Sequence, residues 1–366
     1  MADEPGTTLS WLGYAAIATA VGGTVYAGVR RAARVKAARG QLSALLSVAA
    51  GNDARVVITG ATSGVGEELA REFSLHPAVS LLLGCRDVTA GERLAAACGN
   101  ASVAKLDCLD LASVKGFTEQ AREFLEADAA ARPSASGLRL VVNNAGVMSA
   151  PQESSADGFE PTWAVNFLAP FAVTELLARG RQPDAQPPLR VVNVSSRLEK
   201  RAKLTEQTLG FVENPAAEMK KENKGIRASA YSDSKRAMML WIANRADTLA
   251  ADHNTYVSAT TPGMVDTQLG RNSMSSVLWP LTKPLRMLLL RSPAEGALSA
   301  VAAGLVDGAV HGLYMDGVKE LETLPQSRGE RRGAWHCHIH LGVRALWTVT
   351  AFIVLVSFAL RLTHMI

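Results

Sequence analysis

From about Asp53 to Leu324, short apolar runs rich in β-branched residues alternate with longer stretches of helical periodicity. No other feature limits the fold as strongly, because parallel strands can be joined only through crossovers that lay helices on the faces of the sheet. Strands are expected at 55–59, 80–85, 103–106, 138–142, 190–194, 256–261 and 312–315. Helices are expected at 65–76, 112–128, 159–179, 231–252 and 294–305. The fold class is therefore α/β, a doubly wound parallel sheet of seven strands. Hydrophobic residues make up 48% of the 366 and charged residues 20%, enough apolar material for such a core.

In sheets of this kind ligands bind outside the carboxyl ends of the strands, and the chemistry-bearing residues cluster there. After the first expected strand comes Thr59-Gly60-Ala61-Thr62-Ser63-Gly64-Val65-Gly66, opening into a helix. Gly60 permits a tight turn, Gly64 removes a side chain where backbone approaches pyrophosphate, and Gly66 allows close helix packing. With Thr62, Ser63 and Val65 they form a phosphate-binding turn at a helix N-terminus, which makes the sheet Rossmann-like. Where an NAD enzyme tends to place an acidic residue after the second strand, this chain has Cys85 and Arg86. A carboxylate would repel a 2′-phosphate, whereas Arg86 can pair with it, so NADP(H) is the expected cofactor. Asp107 ends the third strand and is placed to accept from the adenine amino group.

Asn143-Asn144-Ala145-Gly146 follows the fourth expected strand and Asn193-Val194-Ser195-Ser196 the fifth, before Tyr231-Ser232-Asp233-Ser234-Lys235. The i, i+4 spacing puts Tyr231 and Lys235 on one helical face. With the glycine-rich turn and Ser196 they form a catalytic constellation, and Asn144, Ala145 and Gly146 lie where they border the nucleotide.

With TGATSGVG, NNAG, NVSS, YSDSK and PGMVDT in this order, the sequence resembles the short-chain dehydrogenases/reductases over about Asp53 to Leu324. Within that family GCRD, WAVNFLAPF, TPGMVDTQLGR and RSPAEGA resemble the retinol dehydrogenase group and its protochlorophyllide reductase relatives. The resemblance implies Asn166 as a fourth catalytic residue, and Pro262, Gly263, Val265 and Thr267 bordering the nicotinamide and its phosphate. Two departures stand out. Ala169-Pro170 replaces a more usual small turn after Asn166, which bears on its helix, and Ser196 lies farther from Tyr231 in sequence than in many relatives.

The implied reaction is hydride transfer between nicotinamide and a carbonyl carbon, with Tyr231 protonating the developing alkoxide and Ser196 holding that oxygen. Lys235 would hold the ribose hydroxyls, and Asn166 would support a water-linked proton path. A unit charge at ~4 Å in an effective dielectric of ~20 is worth ~4 kcal/mol, enough to lower a tyrosine pKa by ~3 units. Lys235 and the oxidised nicotinamide are therefore expected to bring Tyr231 towards neutrality. The expected substrate is a lipophilic aldehyde, ketone or secondary alcohol, retinoid-, steroid- or lipid-like. The alternative is a structural or interaction subunit that binds NADPH with little or no turnover, against which the intact set of four residues argues.

The two ends add a membrane. The run 9–29 carries no charged side chain, would span roughly 30 Å as a helix, and is preceded by Asp3 and Glu4 rather than the basic residues of a cleaved signal. Arg30, Arg31, Arg34, Lys36 and Arg39 follow it, which places this flank and the catalytic domain in the cytosol by the positive-inside rule. A buried core helix is the other reading of the run. The stretch 345–360 is short for a crossing; it either spans with help from Arg344 and Arg361 or lies in the interface or on a partner. The expected organisation is an anchor with its basic flank at 1–40, a catalytic domain at 41–325, and a basic linker with hydrophobic segment at 326–366.

Other segments are less decisive. The charged stretch 197–227 reads as a solvated insertion or helix, and 277–290 as a cover for the substrate cleft, a membrane-surface segment or core packing. His336, Cys337, His338 and His340 suggest a metal, but juxtamembrane histidines are more often interfacial and no metal site is expected. The net charge of +4 is not gathered in a basic stripe interleaved with aromatics, so no nucleic-acid partner is expected. Cys85, Cys98, Cys108 and Cys337 show no paired framework or CxxC spacing, consistent with a reducing, cytosol-facing compartment. Membrane and lipophilic small molecule are the expected partners, with a homo-oligomer or a membrane-complex partner left open.

Overall fold

The computed structural model describes residues 11–51, 53–127, 137–148, 154–182, 186–202, 204, 224–266, 290–305 and 314–316. Helix α1 (Trp11–Ala50) leads into β1 (Ala54–Thr59), α2 (Gly64–Ser74), β2 (Val79–Cys85), α3 (Val88–Cys98), β3 (Ala101–Lys105), α4 (Leu111–Glu126) and β4 (Arg139–Asn143). A helical turn α5 (Pro161–Trp163), a π-helical turn (Ala164–Leu168) and α6 (Ala169–Ala178) lead to β5 (Leu189–Val194) and a 3₁₀ turn (Arg197–Arg201). Then come α7 (Lys224–His253), β6 (Thr255–Thr261), α8 (Pro293–Leu305) and β7 (Tyr314–Asp316).

The strands form one parallel sheet in the order β3-β2-β1-β4-β5-β6-β7. The chain winds outwards from β1 to β3, returns to β4 beside β1, and winds the other way. The crevice at the ends of β1 and β4 is thus a topological switch point. Because side chains alternate along a strand, Val57, Val141, Val191 and Val257 bury on one face, and Val56, Ile58, Leu140 and Val142 on the other. The first face carries α4, α6 and α7 with an aromatic row of Trp163, Phe167, Phe171 and Trp241, whose successive centroids lie 5.8, 5.9 and 5.5 Å apart. The second is covered by α1, α2 and α8.

Three elements differ from the sequence reading. The expected helix 159–179 is interrupted by the π-helical turn. Pro170 explains part of this, since it has no N–H to give the carbonyl of Asn166 one turn earlier. The beginning of the stretch read as solvated is a 3₁₀ turn pinned to α7, where buried Glu199 pairs with Arg236 at 2.8 Å.

The third difference is α1, which runs without a break through the expected boundary at residue 40. Its carboxyl half belongs to the domain, with Ala38, Leu42, Leu46 and Ala50 buried at four-residue spacing against α2 and α8. Just ahead of it, Tyr26 and Val29 are 63% and 64% exposed. Although α1 has 40 residues, no helix among the described residues is both long and apolar enough to cross a membrane. The segments 267–289 and 317–366, with the expected cleft cover, the histidine-rich stretch and the second hydrophobic segment, lie outside the described residues.

Truncation at the α1 seam should register in global stability. Leu42→Ala, at a position 2% exposed, is expected to cost about 2–4 kcal/mol in denaturant unfolding, and Leu45→Ala, at 37% exposed, within about 0.5 kcal/mol. Equal, small effects would show that α1 is not part of the cooperative domain.

Candidate active site

At the switch point the ends of β1 and β4 are bolted together. The Thr59 hydroxyl accepts from the N–H groups of Asn144 and Ala145, both at 3.1 Å. The Asn144 amide donates to the carbonyls of Thr59 at 3.1 Å and Gly60 at 3.0 Å. Gly60 and Gly64 have φ of 64° and 59°, a region glycine enters without strain. At Gly66 a Cβ would stand 2.2 Å from the Gly60 carbonyl oxygen and 2.4 Å from the Asn144 amide, so the helix start can approach the turn only without a side chain. Ser63 is the N-cap of α2, yet its side chain makes no capping bond, while Thr62 is half-buried and Val65 packs inwards. This cradle, with glycines where backbone must come close and uncapped N–H groups at a helix start, fits a dinucleotide pyrophosphate.

At the end of β2, Cys85 is 2% exposed and Arg86 is exposed, its backbone carbonyl held by Lys105 Nζ at 2.8 Å. Burial, followed by the nearby Asp87 carboxylate, pushes the Cys85 thiol up, so it carries no charge near neutral pH. Asp87 caps α3 by accepting from Ala90 N–H at 3.0 Å. Asp107 is half-buried and accepts from Leu109 N–H at 3.0 Å.

The catalytic candidates converge from three elements. Tyr231 and Lys235 lie one turn apart on α7, 9% and 5% exposed. The Tyr231 hydroxyl is hydrogen-bonded to Ser196, whose Oγ also accepts from Leu198 N–H at 3.2 Å. The long sequence separation of Ser196 and Tyr231 is thus closed by the fold. Lys235 Nζ donates to the Val194 carbonyl at 2.7 Å, and burial pushes its pKa down to about 8. Asn166, in the π-helical turn, clasps Val147, accepting from its N–H and donating to its carbonyl, both at 2.9 Å. The same amide reaches the Ser234 hydroxyl at 3.2 Å. Gly146 lies between Asn166 and Lys235, as a Cβ there would be 3.4 Å from Asn166 Oδ1 and 3.6 Å from Lys235 Nζ.

One expectation is corrected. The protein's own groups do not lower Tyr231; burial pushes its phenol up, and the Ser196 hydrogen bond offsets only part of that. Desolvation of a phenolate inside the domain outweighs what the neighbouring groups return.

A model of the family described as short chain dehydrogenase matches residues 54–206. Human retinol dehydrogenase 12 is 32% identical over 302 residues, covering 79% of this chain and 86% of the human protein. The chain belongs to the short-chain dehydrogenase family. Within it, it falls in the retinol dehydrogenase-like group, and mouse retinol dehydrogenase 14 is 30% identical over 86% of this chain and 92% of the mouse protein. A crystal structure of a Mycobacterium paratuberculosis protein, 26% identical, superposes with a TM-score of 0.51 over 72% of this chain and 81% of that one. The angucycline C-6 ketoreductase LanV, solved with bound NADP, shares the fold at a TM-score of 0.50 and 22% identity, over 73% of this chain and 95% of that one. Membership makes the chain an oxidoreductase of the carbonyl–alcohol type that uses a nicotinamide nucleotide.

In this dehydrogenase the fold brings Asn166, Ser196, Tyr231 and Lys235 to one end of the sheet beside the glycine-rich turn. Pro262, Gly263 and Val265 follow β6 at the same end, with Gly263 at φ 80° and its N–H on the Thr261 hydroxyl at 3.4 Å. Thr267 lies outside the described residues. Among the described residues no group of three or more His, Cys, Asp or Glu could hold a metal. Sequence reasoning missed Thr59 as the bolt, Ser234 as a partner of Asn166, and the Glu199–Arg236 pair behind Ser196. The first two stand inside motifs already singled out, but no periodic signal marks the third.

The Lys235 shift gives a pH test. With a pKa near 8 instead of 10.5, the ammonium is lost as pH rises through about 8, so kcat/KM for carbonyl reduction should fall there. Lys235→Arg keeps the charge and should move or remove that limb at reduced rate. An unchanged limb would assign it to another group.

Proposed function

We propose that this dehydrogenase is an NADPH-dependent enzyme interconverting a lipophilic carbonyl and its alcohol, with Asn166, Ser196, Tyr231 and Lys235 as catalytic residues. The observation that carries this reading is the buried Tyr231 hydroxyl, hydrogen-bonded to Ser196 and one helical turn from buried Lys235. The nucleotide would lie along the glycine-rich turn and supply or receive the hydride. Tyr231, kept protonated by burial, gives its proton to the substrate oxygen as negative charge develops there, and Ser196 orients that oxygen. Lys235 supplies the nearby positive charge and is placed to hold ribose hydroxyls. Asn166, locked by Val147 and Ser234, supports a water-linked path that returns the proton.

Preference for NADPH rests on the end of β2. Cys85 is neutral, the Asp87 carboxylate is engaged at the start of α3, and Arg86 is exposed for a charge-assisted pair with a 2′-phosphate. The lipophilic substrate, retinoid-, steroid- or lipid-like, is supported by the retinol dehydrogenase relatives and by the uncharged run 9–29, in which Tyr26 and Val29 are exposed. We assign that run, followed by its basic flank, to attachment at an organelle membrane with the catalytic domain in the cytosol.

Three measurements test this reading. Tyr231→Phe should abolish turnover of a lipid-carbonyl panel while NADPH binding stays nearly intact; wild-type-like turnover would remove Tyr231 as the proton donor. Arg86→Ala should weaken NADPH about tenfold or more and leave NADH little changed, and Cys85→Asp should push the preference towards NADH. Equal losses for both nucleotides would remove the basis for NADPH. In sealed microsomes, protease should reach the catalytic domain without detergent; protection would reverse the orientation.

A further inference from the structure

The basic flank after the apolar run has a second use. Arg31, read from sequence as an orientation signal, does not simply face solvent: its guanidinium pairs with the Glu295 carboxylate on α8, with the two side chains only 27% and 17% exposed. Glu295 is itself the far end of a capping box. It accepts from the Ser292 N–H at 2.8 Å and from the Ser292 hydroxyl at 3.2 Å, while the Ser292 hydroxyl accepts from Glu295 N–H at 3.3 Å. The pair therefore holds the start of α8 from outside.

That start is packed on the strap that follows β6. Arg291, next to the cap, donates its N–H to the Met264 carbonyl at 2.8 Å and accepts from Asp266 N–H at 2.9 Å, forming a bridge with Val265. At Gly296 a Cβ would stand 2.9 Å from Val265, 3.1 Å from Pro262 and 3.1 Å from Val65 of the glycine-rich turn. One short helical turn thus meets α1 through the Arg31–Glu295 pair and packs on the strap and the phosphate turn without room for a methyl group at Gly296.

We propose that α1 is part of the nucleotide site, with the Arg31–Glu295 pair positioning α8 so that the 262–266 strap closes on the nicotinamide end. Arg31 and Glu295 are positioning residues. This rests on the nucleotide reading above and adds to it a mechanical link from the helix leaving for the membrane to the cofactor. In that reading the adenosine half would lie over the ends of β2 and β3 and the nicotinamide half beside the strap, so the link should act more strongly on NADPH than on a ligand that lacks nicotinamide.

The test uses the full chain in detergent micelles and compares wild type with Arg31→Gln, Glu295→Gln, the double variant and Arg31→Lys. Glu295→Gln keeps an acceptor for the Ser292 N–H, so the cap survives while the charge goes. Dissociation constants are measured for NADPH and for 2′,5′-ADP, which carries the 2′-phosphate but no nicotinamide, together with thermal midpoints. Each single Gln variant is expected to weaken NADPH about threefold to fivefold, the range of a partly exposed ion pair, and to leave 2′,5′-ADP unchanged. The double variant should be no worse than either single one, and Arg31→Lys should stay within about twofold of wild type. Unchanged NADPH binding, additive losses, or equal losses for both ligands would overturn the inference, the last indicating general loosening. A wild type that binds 2′,5′-ADP but not NADPH, or neither, would overturn the nucleotide reading itself and this link with it.

Discussion

The bolt between the ends of β1 and β4 is the contact on which the site depends. Thr59 and Asn144 exchange four hydrogen bonds' worth of contacts across the switch point, counting Ala145 N–H and the Gly60 carbonyl. The partners are backbone groups at the strand ends, where the ladder stops, and the side chains bind them there, although the Asn144 N–H also reaches the Val142 carbonyl at 3.0 Å. The bolt fixes where the phosphate turn leaves β1 and where the Ala145–Gly146 turn leaves β4. From the second turn, Val147 holds Asn166 on both its backbone groups. A dinucleotide cradle and the inner end of the catalytic group are thereby set at a constant distance by the same few atoms.

Desolvation sets the chemistry around that frame. Burial depresses the Lys235 pKa to about 8 although its ammonium donates to the Val194 carbonyl, and burial raises Tyr231. The two shifts run in opposite directions for one reason: a low-dielectric site disfavours ammonium and phenolate alike. The resulting ground state, a neutral phenol beside an ammonium that keeps most of its charge at neutral pH, suits proton donation to a substrate oxygen. Running the reaction the other way requires positive charge near the phenol to overcome that penalty, which the oxidised nucleotide would add.

Helix α1 joins the uncharged run of the chain directly to the domain. Its buried positions Ala38, Leu42, Leu46 and Ala50 are a seam on the second face of the sheet, and the exposed Tyr26 and Val29 lie within about two turns of Arg31. Helix α1 runs unbroken from Trp11 to Ala50, so the seam and the apolar run belong to one continuous helix.

The sequence by itself determined the α/β class, the places of the main strands and the residues of the turn, because periodicity and glycine positions follow from local backbone geometry. It also determined the Tyr231–Lys235 pair, since one helical turn is a local distance. Only the tertiary structure decided that Ser196 meets Tyr231 across 35 positions of chain, that Glu199 is buried against Arg236, and that Arg31 reaches Glu295. Such contacts are made by elements whose packing is chosen by the whole core. The same reason governs α1: an uncharged run followed by arginines is identical in sequence whether its basic flank faces solvent or docks on α8, and the choice was made by the apolar groove between α2 and α8.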